Sequence, residues 1–214
     1  MQEQEITLND LKKYAERGND ESFLIRLELQ NLYNVSDSYS KFVDLIERAI
    51  DFIGKELAKN PKYQKGLSED QITNQIVNSL RLIGFDATHD TENGGHCDIV
   101  IEACNQMLWL GEAKMIKSKN NNWLYKGYNQ LYTRYSTGND YQDRGGMIVY
   151  CFAPYMNKIM NAWKDYLQNK YPNIQIAPCK KYSLAFYSEQ DHIRTGRKFI
   201  VRHIPISFYF SPED

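Results

Sequence analysis

A chain of 214 residues, 42% of them apolar, is long enough to bury one sizeable core, while a formal charge of −1 gives no overall basic field of the kind that announces a nucleic-acid binder. No apolar stretch approaches the length of a membrane span, so a soluble protein is expected. The charge is unevenly placed: residues 1–60 carry 8 Lys+Arg against 12 Asp+Glu, leaving 18 against 15 in the remainder.

Thr7 or Asn9 caps a first predicted helix that runs through Arg17. A second helical tract covers residues 22–33 and a third 38–57, where Phe42, Leu45, Ile46, Ala49, Ile50 and Ile53 recur at helical spacing. The stretch from Asn60-Pro61-Lys62 to Gly66 breaks that pattern and sets the expected division: a helical N-terminal segment over 1–62 and the main domain over 63–214. The N-terminal helices carry no chemical constellation. They read as a packing or oligomerisation layer, or as an acidic arm that docks a partner protein. Ser68 then opens a further helix in a capping box with Gln71, its apolar residues Ile72, Ile76, Val77, Leu80 and Ile83 falling on one face. Glu69 and Asp70 in its first turn either serve only the helix dipole or project toward a site.

The most informative stretch follows. Gly94-Gly95-His96-Cys97-Asp98-Ile99-Val100-Ile101-Glu102 and Leu108-Trp109-Leu110-Gly111-Glu112-Ala113-Lys114 read as two apolar strands of a hairpin. Side chains alternate along a strand, so Glu112 and Lys114 share one face while Ala113 points away. A turn centred near Cys104 and Asn105 sets Asp98 opposite Glu112 to within about one residue, so that the two carboxylates converge. A pair of carboxylates with a lysine beside them suits a hard divalent cation, which takes a few carboxylate oxygens and keeps waters and substrate phosphate. Charges lodged at the end of so apolar a strand are expensive unless they have a task.

After the hairpin, Lys114, Lys117, Lys119, Lys126 and Arg134 succeed one another with no acid between them, either tracking a phosphate backbone or forming a solvated face. A helix from Trp123 to Tyr135 carries Gln130 and Arg134 one turn apart, which either contact the scissile phosphate or cover the sheet edge. Nearby tyrosines (Tyr125, Tyr128, Tyr132, Tyr135) either stack on bases or line half-buried faces. A polar loop leads to a buried strand at 146–152, a helix at 155–171, and strands near 182–187 and 199–210. The segment between those last two offers Arg194, Arg197 and Lys198 as phosphate contacts. Helices and strands in this mixed order predict an α/β or α+β sandwich around one sheet.

Asp98 followed by Glu112-Ala113-Lys114 on the next strand resembles the PD-(D/E)XK signature of the restriction-endonuclease-like nucleases. The match runs from Ser68 to Phe152, and the ordering of acidic helix, Asp strand, Glu-x-Lys strand and glutamine-bearing helix is more specific than any one element. Cys97 stands where the loose motif often has proline. In RecB-like members a tyrosine follows the glutamine by four residues; here Arg134 holds that position and Tyr135 comes one later. The resemblance implies an α/β fold with a restriction-endonuclease-like core, a central mixed sheet flanked by helices, preceded here by the helical segment. It implies a nuclease acting on DNA with Mg²⁺ or Mn²⁺ held by Asp98, Glu112 and Glu69, with Lys114 and Gln130 completing the catalytic set and Lys117, Lys126 and Arg134 meeting nucleic acid. The setting implied is prokaryotic restriction or anti-phage defence, under a regulatory partner such as an ATPase or sensor. The alternative is a non-catalytic nucleic-acid-binding or assembly subunit.

Four cysteines (Cys97, Cys104, Cys151, Cys179) include no CxxC pair and follow an acidic start without signal-peptide character, which predicts reduced thiols in the cytoplasm. A zinc site from His96, Cys97 and Cys104 is disfavoured, because adjacent residues of a strand face opposite sides.

Overall fold

The computed structural model describes residues 6–18, 20–32, 38–89, 91–92 and 96–212. Helices α1 (Leu8–Gly18), α2 (Glu21–Gln30), α3 (Ser38–Ala58) and α4 (Glu69–Ile83) precede the strands β1 (Asp86–Thr88), β2 (Thr91–Glu92), β3 (His96–Cys97), β4 (Ile99–Ala103) and β5 (Met107–Ile116). Then come α5 (Asn121–Asn129), a π-helical turn (Gln130–Tyr135), β6 (Arg144–Cys151), α6 (Met156–Lys170), β7 (Gln175–Pro178), β8 (Phe186–Asp191) and β9 (Lys198–Ser207). The Gly94-Gly95 turn lies outside the described residues. No helix among the described residues is long and apolar enough to cross a membrane.

Seven strands form one mixed sheet in the order β1-β4-β5-β6-β9-β8-β7, with β5, β6 and β9 parallel and the remaining pairs antiparallel. The central strands β5 and β6 are apolar nearly throughout because helices cover both faces. On one face α2, α3 and α4 pack against Ile99, Ile101, Trp109, Ala113, Ile148, Ile204 and Ile206. On the other, α5, the π-turn and α6 cover Val100, Leu110, Ile116, Met147, Val149 and Val201. Helices α2 and α3 of the N-terminal segment thus share a core with the sheet. Gly54 permits the contact, since a Cβ there would stand 3.0 Å from Ile206 Cδ1. Arg202 of β9, fully buried, is held by Asp51 of α3 at 2.8 Å.

Two strands escaped the sequence. The expected strand at 182–187 lies at Phe186–Asp191, and β7 was not foreseen. The cause is polar residues facing inward: Ser188 and Gln190 are buried, Ser188 bonded to His203 Nε2 at 2.9 Å and Gln190 donating to Tyr128 Oη at 2.7 Å. A strand whose buried face is polar loses the alternation that announces it. β7 is a short edge strand ending in proline, where such residues are tolerated.

His203 is the centre of this polar interior. Its Nδ1 accepts from Trp163 Nε1–H at 3.1 Å, which leaves the proton on Nε2 to donate to Ser188, and its ring stacks on Phe186 with centroids 4.2 Å apart. Burial pulls its pKa down to about 3 from 6.5, so the fold holds the neutral ring. The unfolded chain takes up the proton first as pH falls through 6.5, and stability is lost from there downward, by up to about 1.4 kcal/mol per pH unit. Urea titrations between pH 7 and 5 should therefore show a shallower acid loss in His203→Gln than in the wild type; equal slopes would count against it.

Candidate active site

The register of the sheet creates the site. β4 pairs with β5 only as far as Ile99 opposite Gly111, whereas β6 accompanies β5 to Ile116 opposite Cys151. From Glu112 onward one edge of β5 has no neighbouring strand, and its inward N–H groups need other acceptors. Two carboxylates supply them. Asp98 Oδ2 accepts from the Ala113 N–H at 2.8 Å, and Glu69 accepts from the Met115 N–H. Continuing the register one step past Ile99 sets Asp98 opposite Glu112, as the hairpin arithmetic predicts.

Each acid arrives by a different local device. Asp98 occupies a bend between β3 and β4, where its backbone oxygen contacts His89 Nδ1 at 2.7 Å. Cys97 before it is a buried plug whose thiol reaches the carbonyl oxygens of Ile99 at 3.4 Å and Gly111 at 3.5 Å. Glu69 opens α4 directly after the Ser68–Gln71 capping box, and Thr73 one turn on ties that helix to Tyr150 of β6 at 3.0 Å. The first-turn choice is resolved: Glu69 turns into the site while Asp70 is exposed.

Lys114 stands among these acids. Its Nζ lies 2.5 Å from Glu112 Oε1, 3.4 Å from Glu69 Oε1 and 3.8 Å from Asp98 Oδ2, and it donates to the Ala113 carbonyl at 2.9 Å. Gly127 of α5 makes room for this side chain, because a Cβ there would stand 2.8 Å from Lys114 Cγ and 3.0 Å from Cε. Ala113 packs into the opposite core, so the alternation of the Glu-x-Lys triplet is as expected.

The electrostatics are unbalanced. Three carboxylates face one ammonium, and Glu112 is 1% exposed with Oε2 lacking any hydrogen-bond partner. Burial, then the charge of Asp98, pushes Glu112 up to about 8 against the pull of Lys114. Burial likewise raises Asp98 and Glu69, each opposed by Lys114. For Lys114 itself burial favours the neutral amine, yet Glu112 and Asp98 outweigh it and the ammonium is kept. Surplus negative charge, hard oxygen donors and an unpartnered buried carboxylate oxygen fit a hard divalent cation, which needs only one or two carboxylates and keeps its waters. Among the described residues no group of three or more His, Cys, Asp or Glu side chains is placed to hold a metal ion.

The glutamine helix departs from α-geometry where the spacing is unusual. Over Gln130–Tyr135 the backbone widens to a π-turn, whose bonds join residues five apart, and Gln130 Nε2 donates to Tyr135 Oη at 3.2 Å. The extra residue between glutamine and tyrosine is thereby absorbed. Burial, followed by the charge of Glu112, pushes the Tyr135 phenol up to about 12. The Gln130–Tyr135 pairing is one that a count in α-helical steps discards.

Lys117, Lys126 and Arg134 are exposed and outside the cluster. The basic residues between β8 and β9 and at the start of β9 have protein partners. Arg194 donates to the carbonyls of Thr133 and Arg134 at 3.2 Å, Arg197 pairs with Asp140, and Lys198 pairs with Asp191 at 2.8 Å. A cavity of about 970 Å³ lined by Arg26, Phe85, Glu102 and Met107 lies at the far end of the β4–β5 hairpin and shares no residue with the cluster.

Comparison with protein-family models, with curated proteins and with solved structures gives no match.

Two outcomes follow from packing and charge. Gly127→Ala should destabilise the fold by about 1–3 kcal/mol through overpacking on Lys114, although alanine is the better helix former by about 1 kcal/mol; a higher melting temperature would overturn the close contact. With metal chelated, the raised Glu112 pKa means stability present at acid pH is lost as pH rises from about 4.5 to about 8. Glu112→Gln should flatten that decline in urea titrations between pH 6 and 8, and parallel curves would show that Glu112 ionises freely.

Proposed function

We propose that the chain is a metal-dependent nuclease that hydrolyses phosphodiester bonds in DNA, acting in prokaryotic restriction or anti-phage defence. The observation that carries this is the meeting of Asp98, Glu112 and Glu69 around the Lys114 ammonium at the unpaired edge of β5. Asp98 and Glu112, with Glu69 directly or through water, would hold Mg²⁺ or Mn²⁺. When bound, the cation supplies polarisation of the phosphate and a water of lowered pKa. Lys114 holds the attacking water and stabilises charge that develops on the phosphate, a contribution of the kind preorganised electrostatics makes. Gln130 bonds the Tyr135 phenol beside the sheet face that carries Glu112 and Lys114, and the restriction-endonuclease-like core named by the resemblance accounts for the order of these elements. Lys117, Lys126 and Arg134 meet the flanking backbone, where positive charge adds affinity without reading sequence.

One observation favours a second reading. Lys114 already neutralises Glu112 at 2.5 Å, as it would in a non-catalytic nucleic-acid-binding or assembly subunit, or in a nuclease kept latent until a partner such as an ATPase or sensor binds. Activity that appears only in the natural complex would assign latency.

The purified protein or its natural complex should nick or degrade DNA with Mg²⁺ or Mn²⁺ and stop on adding EDTA; cleavage that survives exhaustive chelation would sink the metal role. Asp98→Ala and Glu112→Ala should each abolish cleavage with circular dichroism unchanged. Lys114→Ala should lower the single-turnover rate by about 10²–10³-fold with little loss of affinity. Lys126→Ala and Arg134→Ala should instead weaken binding and reduce its salt dependence by about one ion each. Should Lys114→Ala lose only affinity, the lysine is a phosphate clamp and the chemistry lies elsewhere.

A further inference from the structure

Trp123 is the large aromatic that the site leaves uncovered. The other two tryptophans, Trp109 and Trp163, are fully buried, whereas Trp123 is 38% exposed in the first turn of α5. Its position is firmly set: its N–H donates to the Asn120 cap at 3.1 Å, and the neighbouring Asn121 side chain anchors the helix start to the Ala162 carbonyl of α6 at 3.0 Å. The ring centroid lies 5.3 Å from Lys114 Nζ and 5.8 Å from Lys126 Nζ. One ammonium belongs to the acid cluster and the other is exposed one helical turn further on. A large, partly exposed π-surface is therefore held in place within cation–π distance of two ammonium groups, one of them in the acid cluster.

We infer that Trp123 is a stacking platform for an unpaired nucleotide, and that the strand the site accepts is single-stranded or locally unpaired DNA. This rests on the nuclease reading and specifies its substrate. A scissile phosphate seated beside the acid cluster brings an adjoining base within reach of the indole, whose centroid lies 5.3 Å from Lys114 Nζ, and Lys126 meets the next stretch of backbone. Inside a duplex both faces of every internal base are taken by its neighbours, so an aromatic platform gains contact only where a base is unpaired or turned out of the stack. Alternating aromatic and basic groups are the usual composition of single-strand grooves, because every base offers a π-face irrespective of sequence. Exposed Lys126 serves the same end, as its ammonium can pair with a phosphate once a base covers the indole.

With the other two tryptophans buried, Trp123 is the indole from which quenching by a bound base is expected. The experiment uses the full chain carrying Asp98→Asn, with Mg²⁺ present, so that the strand is held uncut. Titration with oligothymidylate should quench tryptophan fluorescence saturably, and relaxed closed-circular duplex should not. In the same background Trp123→Phe should bind oligothymidylate almost as well while losing the quench, and Trp123→Ala should bind about tenfold more weakly, as removal of one base–aromatic stack does. Equal quenching by the closed duplex, or wild-type affinity in Trp123→Ala, would overturn the platform. Failure of the nuclease reading is separable: a wild type that binds and quenches with oligothymidylate but cleaves no DNA keeps the platform and loses the enzyme. One that cleaves closed duplex undiminished by Trp123→Ala keeps the enzyme and loses the platform.

Discussion

β5 outruns β4, and the site exists because of that mismatch. Antiparallel pairing ends at Ile99 and Gly111, while parallel pairing with β6 continues to the end of the strand. A strand this deep in the sheet cannot leave N–H groups bare, since a buried unpaired donor costs as much as a lost hydrogen bond or more. Glu69 and Asp98 fill the gap from two directions, and each must bring a carboxylate to do so. The backbone's demand for acceptors therefore gathers negative charge at one spot. Lys114, on the same strand face as Glu112, answers part of it.

The answer is incomplete by construction. An ion pair stripped of water is tolerated only when its geometry and its further hydrogen bonds are good. Here Glu112 has one oxygen bound to Lys114 and the other with no partner. The fold bears this because the burden falls on a small part of a large apolar interior, with two layers of helix covering the sheet. A site of this kind is held in a state of charge imbalance by the core around it, and a ligand that brings positive charge relieves the imbalance. Local destabilisation at a functional cluster with compensation elsewhere is a general feature of active sites.

Much of this was legible in the sequence, for identifiable reasons. The hairpin register followed from one turn position, since period-two alternation leaves little freedom once the apolar face is known. The α4 start followed from Ser68 and Gln71, whose capping box formed as read. What stayed hidden depends on contacts between distant residues. Glu69 and Asp70 are equivalent in a first helical turn, and only the docking of α4 on Tyr150 decides which one faces β5. Gly127 looks like a poor helix residue until Lys114 is placed beneath it. β8 was displaced because its inward residues are polar, a pattern that has meaning only once His203 and Tyr128 are known to await it.

The π-turn shows how such distant contacts shape the site itself. A widened helical turn gives up regular backbone geometry and persists where the surroundings hold it. Here the β8–β9 loop does the holding: Arg194 caps the Thr133 and Arg134 carbonyls, Tyr132 Oη donates to the Asp191 carbonyl at 2.5 Å, and Ser136 Oγ meets His192 Nε2 at 2.9 Å. Gly138 lets that loop close down, as a Cβ there would stand 2.5 Å from the His192 ring. Arg194 is thus a clamp on the segment carrying Gln130 and Tyr135. Straightening the turn to α-geometry would move Tyr135 about 100° around the helix axis per residue of slip, away from Gln130 and from the acids. The β8–β9 hairpin, which contributes no group to the acid cluster, consequently holds the turn in which Gln130 meets the Tyr135 phenol.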